Sequence, residues 1–141
     1  RLLSGETVTM DGDHVHLDNA RLGLRGPSDP HPPICIGGMG ERRTLPLAAR
    51  YAQHRSYEGT DLAEFRHKRD VLHAHCATIG RDPAEIQASA KVRFAPDEPA
   101  GLVAERAQTL IDAGVTLVLV IFPRPLDPSL VRPIAEALSH L

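Results

Sequence analysis

Pro32-Pro33-Ile34-Cys35-Ile36-Gly37-Gly38-Met39-Gly40-Glu41-Arg42-Arg43-Thr44 reads as a short strand, a glycine-rich turn and the start of a helix. Two prolines stiffen the entry, and Ile34 and Ile36 are the β-branched residues that a short core strand favours. Three glycines in four positions remove the Cβ atoms that would hold a bound group away from the backbone. Free N–H groups at the start of the following helix suit an anion, most commonly a phosphate. The same spacing also suits a tight strand-to-helix turn in which glycine serves only the backbone. Spacing alone leaves both readings open.

Downstream of the turn, Leu45, Leu47, Ala48, Ala49 and Ala52 give a helix from about Thr44 to Ala52 a small apolar face, with Thr44 as its expected N-cap and Pro46 in its first turn. A short strand is expected around His54 to Tyr57. Asp61 to Ile79 is the clearest helix, with Leu62, Phe65, Arg69, Leu72, Cys76 and Ile79 at 3-4 spacing and Gly80 as its stop. Arg81-Asp82-Pro83 breaks the chain. Ala88, Ala90, Val92 and Phe94 then alternate with Ser89, Lys91 and Arg93, as a strand with two different faces does. Pro96 to Pro99 reads as a turn and Leu102 to Ala113 as an amphipathic helix ended by Gly114. The apolar run Val115 to Phe122 suits a strand covered on both faces by helices. A last helix is expected from about Pro128 to Leu141, bent at Pro133.

Upstream, Val8-Thr9-Met10 and His14-Val15-His16-Leu17 flank Asp11-Gly12-Asp13, the pattern of a β-hairpin. A loop carrying Gly23, Gly26, Pro27 and Pro30 leads from it to the glycine segment. From Pro33 on, strands and helices alternate, which implies parallel strands joined by crossover helices. A (β/α)8 barrel needs roughly 250 residues, whereas four β/α units at most are present. The chain is therefore either a small open α/β sheet or the second half of a barrel.

Composition narrows the function. At 141 residues, 42% hydrophobic and 24% charged, the chain has ordinary soluble composition and enough length for one core. A net charge of −2 without a basic run argues against a nucleic-acid surface. No apolar run approaches the roughly 20 residues needed to span a bilayer. Cys35 and Cys76 are too few and too far apart for a disulfide framework or a zinc knuckle, so a cytoplasmic setting is expected. Arg1 is not a natural start residue, which points to a missing true N-terminus, with which a signal could have been lost. No metal site is expected. His14 and His16 share a strand face without a third ligand, and Cys76 belongs to an apolar stripe rather than to a site with His73. No Ser-His-Asp set, P-loop or paired-carboxylate site emerges, and Gly37-Gly38-x-Gly40 falls short of the dinucleotide fingerprint.

The combined pieces decide between sheet and barrel. Met10-Asp11-Gly12 through Leu17-Asp18-Asn19-Ala20, then Pro30 through Leu45, then Ala49-Arg50-Tyr51-Ala52 closely resemble the luciferase-like monooxygenase superfamily, best its branch that uses the deazaflavin coenzyme F420. Leu72 to Pro83 and Asp112-Ala113-Gly114-Val115 fit as well, so the resemblance covers nearly the whole chain. It implies a (β/α)8 TIM barrel of which only the C-terminal half, about strands five to eight, is present. Residues 1–30 would form a hairpin insertion and loop, and residues 31–141 the β/α units. It also implies hydride transfer between the deazaflavin and an organic substrate, with FMN as the alternative coenzyme. By position, Ile36, Gly37, Gly38, Met39 and Gly40 would line the coenzyme's phosphate-bearing side chain, with Arg42, Arg43 and Thr44 adding charge or N–H groups. His54 and Arg55, placed where a barrel strand ends, and Arg124, after the last strand, are the candidate substrate contacts.

Departures from the family pattern accompany the resemblance. Ala52-Gln53-His54-Arg55-Ser56 replaces the family's Ala-Asp-Gly-Trp-like run, and Pro46 stands where a helix former is usual. The resemblance puts the usual acid/base residues on the first four strands, so no catalytic residue is assigned to this chain. A non-catalytic half-barrel is the competing expectation. Its two unpaired sheet edges would invite a homodimer.

Overall fold

The computed structural model describes residues 1–23, 27–28, 31–59, 61–95 and 97–141. Gly26 and Pro30 of the first loop, and Pro96 of the expected turn, lie outside the described residues. The chain divides into two units, Arg1–Pro33 and Ile34–Leu141.

The first unit is a hairpin of β1 (Val8–Asp11) and antiparallel β2 (His16–Ala20). Its turn is later than the Asp-Gly pair suggests: Asp11 pairs with His16, and the Gly12 N–H donates to Val15 O at 3.0 Å. His14 therefore sits in the turn and not beside His16 on a strand. His16 instead meets the Asp11 carboxylate across the hairpin. The register slips between Val8 and Met10, where Asn19 adopts φ 48° and donates its N–H to Thr9 Oγ1 at 3.1 Å. Asparagine tolerates that left-handed conformation better than most side chains.

In the second unit, β3 (Cys35–Gly37), β4 (His54–Tyr57), β5 (Gln87–Arg93) and β6 (Leu117–Ile121) form one parallel sheet in sequence order. Helices α1 (Thr44–Tyr51), α2 (Leu62–Thr78) and α3 (Ala100–Asp112) are the crossovers, and α4 (Val131–Leu138) follows β6. Parallel register sets Ile36, Arg55 and Ala88 side by side, then Tyr57, Ala90 and Val118, then Val92 and Val120. These residues share one face, and the buried clusters form there. Ala48, Ala49 and Ala52 pack with Leu72, Cys76 and Ile86; Tyr57 and Phe65 pack with Ala90; Val92 and Phe94 pack with Val103 and Ile134. The other face carries Cys35, His54 and Gln87, then Gly37, Ser56, Ser89 and Leu117, then Lys91 and Leu119.

That asymmetry corrects the expectation for Val115 to Phe122. The run is strand only over Leu117–Ile121, and helices pack on one of its faces; Leu117 on the other is 36% exposed. The last helix is shorter than expected. A 3-10 turn at Pro128–Leu130 precedes it, so Pro133 falls in the first helical turn and breaks no internal hydrogen bond.

Capping explains the helix limits. Asp61 accepts the Ala63 and Glu64 N–H groups at 2.7 and 3.3 Å and starts α2. Gly80, at φ 67°, follows its end, while Ile79 is exposed and takes no part in the stripe. Asp61→Ala is expected to cost about 1 kcal/mol in urea denaturation; an unchanged midpoint would remove the cap from this account. Arg81 donates to Ala49 O and Ala52 O at 2.8 and 2.6 Å, closing the C-terminus of α1 from a distant part of the chain. Cys76 has no solvent exposure and burial pushes its thiol pKa up, the behaviour of an inert core cysteine.

Candidate functional site

In a parallel sheet the loops at the C-terminal strand ends are where ligands gather. In this unit those loops are the Gly38–Arg43 turn after β3, Glu58 and Gly59 after β4, the segment after Arg93, and Phe122–Arg124 after β6. The glycine turn is the most built of them. Gly38 adopts φ 96°, a conformation that side chains rarely accept. A Cβ on Gly38 would lie 3.3 Å from Thr44 Cγ2, and one on Gly40 would lie 3.1 Å from Thr44 Oγ1. Thr44 thus packs under the turn, and the glycines leave the space that it fills.

Thr44 is not the N-cap expected from the sequence. Arg43 holds that position without a side-chain bond, and Thr44 is the first helical residue. The turn feeds the helix through its own backbone: the Leu45 N–H donates to Gly40 O at 2.9 Å and the Leu47 N–H to Arg43 O at 3.2 Å. Pro46 needs no acceptor.

Around this backbone lies a concavity of about 630 Å³, lined by Met39, Gly40, Glu41, Arg42, Arg43, Thr44 and Lys68. Arg42 and Arg43 are exposed and have no carboxylate partner among the described residues. Lys68 and His67, on α2, reach Glu41 Oε1 at 2.7 and 2.9 Å, and His75 bonds Glu41 O at 3.1 Å. Lys68 first, then His67, holds the Glu41 carboxylate below its usual range. The tie therefore favours the folded turn above the ordinary carboxylate pKa and is lost as pH falls through the lowered one.

On the helix-free face, Glu58 takes hydrogen bonds from Lys91 at 2.5 Å and from Ser56 at 3.1 Å, beside Gly37. Lys91 and then Ser56 hold the Glu58 carboxylate low. His54 Nε2 meets the fully buried Ser89 Oγ at 2.7 Å on the same face.

The structure moves two expected substrate contacts. His54 and Arg55 open β4 rather than end it, because α1 stops at Tyr51 and the strand begins three residues later. Arg55 also points to the helix-covered face, where it donates to Gly38 O at 3.3 Å. Arg124 does follow the C-terminal end of β6 and is exposed. Ile36, Gly37, Gly38, Met39, Gly40, Arg42, Arg43 and Thr44 form one continuous strand end, turn and helix start. Sequence reasoning misses Lys68, Glu58 and Lys91. The period-two face of β5 carries Lys91, but nothing local marks Lys68 as a neighbour of Glu41. Among the described residues no group of three His, Cys, Asp or Glu is arranged to hold a metal, and no helix is long and apolar enough to cross a membrane.

Residues 1–135 match the family model described as luciferase-like monooxygenase. The chain belongs to that family. A curated relative of this luciferase-like chain is 5,10-methylenetetrahydromethanopterin reductase of Methanolobus tindarius, 28% identical over 109 residues, which are 77% of this chain and 32% of the reductase. The chain thus spans about a third of that relative's length. Among solved structures, the coenzyme F420-dependent tetrahydromethanopterin reductase of Methanopyrus kandleri superposes with a TM-score of 0.75 at 14% identity, over 99% of this chain and 58% of the reductase. An F420-dependent secondary alcohol dehydrogenase in complex with an F420–acetone adduct gives 0.75 at 17% identity, over 97% and 56%. At these identities the superpositions show a shared fold. The luciferase-like chain is thus an α/β protein with a parallel sheet of the kind found in those enzymes.

Proposed function

We propose that this chain is the C-terminal half, strands five to eight, of a luciferase-like (β/α)8 barrel that anchors coenzyme F420 in an oxidoreductase. The observation that carries the reading is the Gly38–Thr44 turn: a Cβ-free backbone over Thr44, flanked by Arg42, Arg43 and Lys68, at the C-terminal edge of a parallel sheet. These residues fit an anionic coenzyme tail. The glycines allow close approach and the two arginines supply charge, whereas the Leu45 and Leu47 N–H groups of the helix start are bonded within the turn and Pro46 has none. When bound, the deazaflavin supplies hydride transfer to or from an organic substrate. This chain's part is to bind and orient: Arg42 and Arg43 hold the phosphate, Lys68 braces the turn through Glu41, and Glu58–Lys91 sets a fixed charge pattern on the helix-free face.

An absorbance titration of the full chain with F420, repeated with FMN, tests the reading. F420 is expected to bind, and Arg42→Ala/Arg43→Ala to weaken it at least tenfold. If neither coenzyme binds, or the double variant binds F420 as tightly, the reading fails. Tight FMN binding alone would replace F420 with the flavin.

A further inference from the structure

Among the described residues, Arg55 is the only buried charged residue, at 4% exposure. It lies on the helix-covered face, and no carboxylate pairs with it among the described residues. Its contacts are weak. One N–H reaches Gly38 O at 3.3 Å, longer than the ~2.7–2.9 Å of a charge-assisted bond. The same nitrogen is 3.9 Å from the Met39 sulfur, and the guanidinium lies 5.2 Å from the centre of the Tyr57 ring. Its Nε is buried with no hydrogen-bond partner among the described residues. Glu58 acts on Arg55 only through space and is itself bonded to Lys91. A buried cation without a contacting counter-charge is costly, and a fixed fork of donors calls for a planar anion.

Arg55 also lines a cleft of about 780 Å³ between α2 and the segment running from Asp82 to Ala88. Most of that cleft is apolar, through Phe65, Leu72, Pro83, Ile86 and Ala88. Its other charged groups are engaged elsewhere. Arg69 is bound to Asp70 and Ala113 O, Asp82 caps Ala84, and Glu85 pairs with Arg81. Exposed His73 stands at the rim. We infer that this cleft is a binding site for a monocarboxylate with an apolar tail, the carboxylate meeting Arg55 and the tail lying along Phe65, Leu72 and Ile86. The site is separate from the concavity at the glycine turn, whose lining Arg55 approaches only at the Met39 sulfur.

Octanoate and, as the uncharged arm, 1-octanol are titrated into the ¹⁵N-labelled full chain, following the arginine Nε–H signals. The Arg55 signal is assigned by its loss in Arg55→Lys. Octanoate is expected to move it saturably and to bind at least tenfold tighter than 1-octanol, with the preference abolished in Arg55→Met. An unmoved Arg55 signal, or equal affinity for the alcohol, overturns the site. Should Arg55→Met fail to fold, the two titrations of the unsubstituted chain still decide.

Discussion

Tyr57→Ala is expected to lower the unfolding free energy by about 3–5 kcal/mol, a large share of the roughly 5–15 kcal/mol that holds a typical domain folded. Tyr57 is 1% exposed and centres a cluster with Phe65, Ala90, Ala113 and Val115. Its ring meets Phe65 edge-on at 5.2 Å, and its hydroxyl donates to Asp61 O at 2.9 Å. It also carries the Arg55 guanidinium on its face. Tyr57→Phe keeps the packing and removes only the hydroxyl bond, so it should cost about 1 kcal/mol. Gly59 adds a signature specific to this geometry. A Cβ there would lie 2.3 Å from the Tyr57 hydroxyl oxygen, so Gly59→Ala should destabilise the unsubstituted chain by about 1–3 kcal/mol. In the Tyr57→Ala background the obstruction is gone, and the glycine substitution should cost little. Urea denaturation of the four species forms a double-mutant cycle; simple additivity would show that the ring does not sit over Gly59.

The second large effect concerns the turn. Gly38→Val is expected to weaken F420 binding at least tenfold, about 1.4 kcal/mol, because two penalties coincide. A β-branched residue at φ 96° is strained by roughly 1–3 kcal/mol, and its Cβ begins 3.3 Å from Thr44 Cγ2. The backbone N–H groups of the turn would shift from the direction in which they would face the proposed phosphate. Gly101→Ala is the matched control. Its new Cβ meets nothing within 4 Å on α3, so it should leave binding unchanged and stabilise the helix by about 0.5–1 kcal/mol. If Gly38→Val and Gly101→Ala bind F420 alike, the turn is not the anchor.

Much of this fold is legible in the sequence because its signals are local. Asp61, Gly80 and the Phe65–Leu72–Cys76 stripe mark α2 within a few residues. The four residues of β4 are legible too, and in a parallel sheet the chain direction alone makes His54 and Arg55 its opening residues; their placement at the strand's end comes with the family position and not from the residues. Which face of β6 is covered cannot be read from an all-apolar run, since every residue there suits a helix-packed surface. The site is half legible for the same reason. The glycines and Arg42–Arg43 adjoin in sequence, whereas Lys68 meets Glu41 across 27 positions, and Lys91 meets Glu58 across 33.

The sheet order has a consequence for how the unit holds together. Among the described residues, each strand of the four-stranded sheet pairs only with its sequence neighbours in that sheet, and Arg81 fastens one β/α unit to the helix of the one before. Such a molecule is close to a linear array, in which cohesion resides in the seams between neighbours. Within the unit, separating β6 and α4 breaks the β5–β6 seam, while a cut between β4 and β5 disrupts two buried clusters at once, so cohesion is greatest in the middle of the array.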